Sequence, residues 1–165
     1  MPAEPDGTDC KILKGPFLQD LPAHGFDLRA LARSMAGRKQ TRDRVTDRAA
    51  HQIEATAKLF IEATGIRDVR EVTQAHLASF VDLMAQLPPL YRKSAAERTM
   101  TLGQIIATAR RAGMPQGLSP ATVNRNLRFL GQIHKHARLQ ETEVSDRLDL
   151  TNLREVASRD ARGWQ

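Results

Sequence analysis

One cysteine, Cys10, is all that 165 residues contain, so no intrachain disulfide framework is available and a reducing, intracellular setting is expected. Aromatic residues are scarce at 4%, with one tryptophan and one tyrosine, yet the 41% hydrophobic share is enough for a small core. No apolar run approaches the ~18 residues that a membrane span needs. The N-terminus has no charged stretch followed by an apolar block, so it does not read as a secretory signal. There is no glycine-rich phosphate loop, no zinc-ligand spacing and no nucleophile elbow. Strand-like alternation and fixed-period repeats are also missing. Enzymes built on those motifs, metal scaffolds and membrane proteins are thereby disfavoured, and neither a cofactor nor a metal is expected.

What is present is positive charge in one place. The chain carries a formal net charge of +6. Residues 1–30 and 139–165 are each slightly acidic, and residues 31–91 slightly basic. Residues 92–138 hold nine Lys or Arg and a single acid, Glu97. A field of one sign over so short a stretch suits a polyanionic partner, with nucleic acid ahead of an anionic membrane surface.

The periodicity predicts an all-α protein: a compact bundle of four main helices, a short fifth helix and an extended N-terminal tail. Prolines and glycines break any period over the first 26 residues. Asp27 caps a short helix carrying Leu28, Leu31 and Met35, which Gly37 is expected to end, and Arg38–Arg44, basic and polar, reads as a linker or a groove-tracking arm. Residues 1–40 are therefore taken as a flexible segment and linker, 41–140 as the helical domain and 141–165 as a C-terminal extension.

In the first main helix Val45, Ala49, Ile53, Ala57, Phe60 and Ile61 form an apolar stripe, and Gly65 ends it. The second starts after Thr73, buries Leu77, Phe80, Val81 and Met84, and stops before Pro88–Pro89. The third carries Leu102, Ile105, Ile106 and Ala109 and ends among Gly113–Gly117. Ser119 at the N-cap and Pro120 at the first helical position open the fourth, which runs to about Arg138. Leu148–Val156 is the short final helix.

The fourth helix divides by chemistry. At 100° per residue Val123, Leu127, Leu130, Ile133 and Ala137 share one side. Arg125, Arg128, Gln132, Lys135 and His136 share the other, flanked by Thr122 and Asn124, with no carboxylate among them. Solvated helix faces usually mix both signs. Arginine and glutamine pair with purine edges, lysine neutralises phosphate, and a helix of this width enters the major groove. His134 points roughly 200° from His136, so the two cannot share a metal; His134 is read as a satisfied core histidine. Tyr91 is assigned to packing or capping.

The stretch from Ala49 to Arg138, about 90 residues, resembles the N-terminal core-binding domain of tyrosine recombinases, the phage-integrase family with its helical, SAM-like fold. The resemblance rests on "FIEATGIRDVREVTQAHLASFVDLMAQLP", then a basic polar loop, then "LSPATVNRNLRFLGQIHKHAR". It implies a module that grips one side of double-stranded DNA while a separate catalytic domain grips the other. That domain would carry an Arg-Lys-His-Arg set and a tyrosine nucleophile, none of which matches residues here. This chain is therefore expected to bind DNA and cut nothing, whether as an excised domain or as a naturally truncated product.

Carried over by position, the expected DNA contacts are Thr122, Asn124, Arg125, Arg128, Gln132, Lys135 and His136, with Arg92, Lys93, Ser94 and Arg98 from the preceding loop. The resemblance implies contacts from the second helix region as well, but Gln74, His76 and Asp82 there offer little positive charge, so the carry-over does not extend to them. The resemblance also implies a cytoplasmic, nucleoid-associated bacterial or phage protein, homo-oligomeric once the full-length protein assembles on DNA. Two other readings compete: a helix-turn-helix transcription regulator, suggested by "LSPATVNRNL", and a helical protein-interaction module.

Overall fold

The computed structural model describes residues 25–42, 46–140 and 143–154. They form α1 (Leu28–Thr41), α2 (Asp47–Thr64), α3 (Gln74–Met84), α4 (Leu102–Arg111) and α5 (Pro120–Leu139). Short 3-10 turns occupy Val69–Glu71 and Glu97–Thr99, and a last helical turn begins at Leu150. Among the described residues there is no strand, only one isolated bridge between Asp27 and Asp68. No described helix is long and apolar enough to cross a membrane. The all-α expectation is met.

Local chemistry sets the helix ends. Thr46, Thr73, Thr101 and Ser119 each accept a backbone N–H of the first turn, supplying a partner that the helix itself lacks. At Thr73 and Thr101 the exchange is reciprocal, with His76 and Gln104 reaching back to the cap backbone. Gly65 ends α2 at φ 76°, a left-handed conformation that costs a residue with a Cβ more than glycine.

The stripes then meet. Phe60 of α2 and Phe80 of α3 pack edge to face, 5.3 Å between centroids. Ile53, Leu77, Met84, Leu127 and Ile133 are fully buried with them. One polar contact crosses this core: the Thr56 hydroxyl donates to Asn126 Oδ1 at 2.8 Å, and the Asn126 amide lies 3.4 Å from Met84 Sδ. That satisfies groups which would be costly to bury alone.

The helical unit begins earlier than position 41. The short helix expected after Asp27 is α1, which is part of the helical unit and not of a flexible lead, and its Leu28, Leu31, Ala32, Met35 and Ala36 are buried against the bundle. Gly37 does not stop it. A mid-helix glycine costs roughly 1 kcal/mol relative to alanine, and the burial of five neighbours outweighs that. The N-terminal end is tied down as well: Leu28 N–H donates to the Arg67 carbonyl (2.8 Å) and Val69 N–H to the Phe26 carbonyl (2.9 Å). The tail reading for residues 1–24, including Cys10, lies outside the described residues.

The segment 143–154 lies on the bundle. The Gln74 side chain both donates to and accepts from the Asp149 backbone, at 2.9 Å each way, and Arg138 pairs with Asp146 at 2.8 Å. Leu150 lies over Gly131, where a Cβ would come within 2.6 Å of Leu150 Cδ1. Gln74 and His76 thus have structural work.

Candidate nucleic-acid interface

A groove opens where the N-terminal half of α5 faces α2 and the loop after α3. Lys58 from α2, Arg92 and Lys93 from the loop, and Thr122 and Arg125 from α5 all line it. No carboxylate is among the lining residues. Two basic groups that are separate in sequence therefore share one concavity. Capping explains the placement of α5: Ser119 fixes its first turn, with Pro120 at the first helical position. Ser119 and Thr122 of that turn line the groove, so the positive end of the helix dipole lies beside it.

Beyond the groove, Arg128 and Lys135 are exposed and continue the basic line along α5. Gln132 is half-buried and already engaged, accepting from Lys39 Nζ of α1 at 2.6 Å. Burial, and then the nearby Arg128 guanidinium, lower the Lys39 pKa. Lys58 is a cation that no local signal marks for the site, whereas Lys39 belongs to the basic stretch that offered a groove-tracking arm and here reaches α5 at Gln132.

His136 is a correction. It was expected on the basic ridge, but it is buried, with Nε2 3.4 Å from Ser34 Oγ and 3.2 Å from Gln140 Nε2. The cause is α1, which packs on that flank of α5. Ser34 of that helix meets the imidazole directly. Asn124 is also off the ridge: it is half-buried, with Oδ1 shut from solvent and without a hydrogen-bond partner among the described residues. His134 departs from the satisfied-core reading, because it is half-buried and its Nε2 has no such partner either. Tyr91 packs on the core and borders the groove, and burial raises its pKa.

The loop residues divide. Arg92 has φ 61° and forms an ion pair with Glu62. Ser94 is used locally, its Oγ accepting the Glu97 N–H at 3.2 Å. Lys93 is exposed beside the groove. Arg98, on the 3-10 turn, opens into a neighbouring basin instead. Among the described residues no group of three His, Cys, Asp or Glu side chains could hold a metal.

Burial is the main cause lowering both histidine pKa values from about 6.5, assisted by Arg38 and Lys39 at His136 and by Arg138 at His134. The sign follows from linkage. The unfolded histidines take up protons first, so their contribution is complete above about pH 6.5 and is lost as pH falls through the folded values. The urea midpoint is expected to drop between about pH 7 and pH 5. A midpoint that rises on acidification contradicts the burial of these imidazoles.

The chain matches no protein-family model, no curated protein and no solved structure.

Proposed function

We propose that this chain binds double-stranded DNA through the α5 ridge and the adjoining groove. In this reading it acts as the core-binding module of a site-specific tyrosine recombinase or integrase, holding target DNA for a catalytic domain that it does not itself contain. The observation that carries the reading is the groove: cations from α2, the 92–93 loop and α5 converge on a concavity lined by no acid. Such a site neutralises phosphates and releases their counterions, which is the main source of sequence-independent affinity. Arg125 and Arg128 stand close enough to the helix start to reach base edges once α5 enters the major groove.

The helix-turn-helix alternative needs two helices joined by three or four residues. Here α4 and α5 are separated by residues 112–119, which include Gly113 and Gly117 at positive φ. That length disfavours it. A titration of a fluorescent ~20-base-pair duplex at about 50 mM salt tests the proposal. Micromolar or tighter binding is expected, in the range of sequence-independent contacts. No detectable binding under those conditions favours the protein-interaction module and removes the DNA reading.

A further inference from the structure

Beside the groove lies a second basin, lined by Arg29 at the start of α1, Arg67 after α2 and Arg98 on the 3-10 turn. Lys58 and Arg92 line both concavities, so the two are continuous. The basin has five cationic lining residues and one carboxylate, Glu62. That carboxylate is engaged with Arg92. Arg67 also approaches Asp27 at 3.8 Å, but its side chain stays 66% exposed and available. The sequence marks only Arg92 and Arg98 of this surface, because Arg29 and Arg67 come from other parts of the chain.

We infer that this basin is a second phosphate track for the same duplex, and that Glu62 holds Arg92 in reserve at the junction of the two tracks. The inference rests on the duplex-binding reading and extends it to residues outside the α5 face. Charge complementarity is the first argument, since a polyanion leaving the groove past Lys58 meets further cations instead of a neutral surface. The state of Arg92 is the second. Its backbone occupies a left-handed conformation uncommon for a residue with a side chain, which fixes where the guanidinium emerges. Its side chain is only 23% exposed, and its Nε is buried with no hydrogen-bond partner among the described residues. Glu62 therefore satisfies the guanidinium only in part. A phosphate arriving at the junction competes with the carboxylate for Arg92, and its oxygens suit the planar fork. Glu62 acts as an internal stand-in for the DNA backbone, and so lowers the affinity of the free protein.

The test is fluorescence anisotropy of the full chain with a ~20-base-pair duplex over a salt series, using Glu62→Gln and Arg98→Ala. Each phosphate contact contributes about 0.9 to the slope of log affinity against log salt. Glu62→Gln is expected to bind severalfold tighter and to steepen the slope by about 0.9, while Arg98→Ala makes the slope shallower by about the same amount. Should Glu62→Gln shift the thermal melting curve, the Arg98→Ala slope decides alone. Slopes equal to that of the wild-type chain, with Arg125→Ala still weakening binding, overturn the second track and leave the groove reading standing. A wild-type chain that ignores duplex overturns both.

Discussion

Leu127→Ala is expected to destabilise the protein by about 2–5 kcal/mol, the range for removing a buried leucine side chain and leaving its cavity. Leu127 is fully buried midway along α5, in the same cluster as Phe60, Phe80 and Ile133. Urea unfolding followed by circular dichroism measures the loss. Leu130→Ala, at 6% exposure, belongs to the same range but near its lower end. A loss under about 1 kcal/mol for Leu127→Ala is what an exposed position gives, and it contradicts the packing described. Duplex affinity of the folded fraction stays unchanged, because neither leucine faces the groove.

The Arg125→Ala, Arg128→Ala double variant separates in the opposite direction. Arg128 is exposed, and Arg125 lines the groove. Truncating exposed or rim side chains usually shifts stability by under about 0.5 kcal/mol each. Arg128 also lies 5.5 Å from the Phe129 ring centroid, a contact of minor weight at that distance and exposure. Duplex binding is expected to weaken by about 1–3 kcal/mol for each arginine that reaches a base edge, or to lose about one unit of salt slope for each that contacts a phosphate. Anisotropy titration alongside thermal melting reads both quantities. Parallel loss of folding and binding would assign these arginines to structure instead.

Much of the scaffold was readable in the chain. Ser119-Pro120, Thr73 and Gly65 announce helix ends through their own chemistry, and the stripe from Val123 to Ala137 states which side of α5 turns inward. The parts that were not readable depend on contacts distant in sequence. Leu28, Leu31 and Met35 were visible at helical spacing, but the glycine and basic run after them read as an ending. Only packing against α2 and α5 extends that helix to Thr41. The error over His136 follows directly. It lies roughly 220° from Val123 around the helix, on the basic side of an isolated α5. Phe129, at roughly 240°, is buried by the same flank. Asn126 is a polar residue retained in the core because Thr56, 70 residues away, meets it.

The site shows the same division. Arg125, Arg128 and Lys135 were legible because one helix displays them in one direction. Lys93 and Arg92 line the groove, while Arg98 lines the neighbouring basin. Lys58 was hidden among the mixed charges of α2, where Asp47, Arg48, Glu54 and Glu62 read as an ordinary solvated face. The pairing of Arg92 with Glu62 spans 30 residues and leaves no local signature.

Salt dependence of wild-type duplex binding bears most directly on the central claim that cations gathered from α2, the 92–93 loop and α5 form one phosphate-binding surface. If the groove and ridge alone meet phosphates, Lys58, Lys93, Arg125 and Arg128 at about 0.9 per contact predict a slope of log affinity against log salt of roughly −3 to −4; the second track and a released Arg92 make it steeper, and an arginine that reads a base edge makes it shallower. A slope near zero, or affinity unaltered between about 50 and 200 mM salt, contradicts the account.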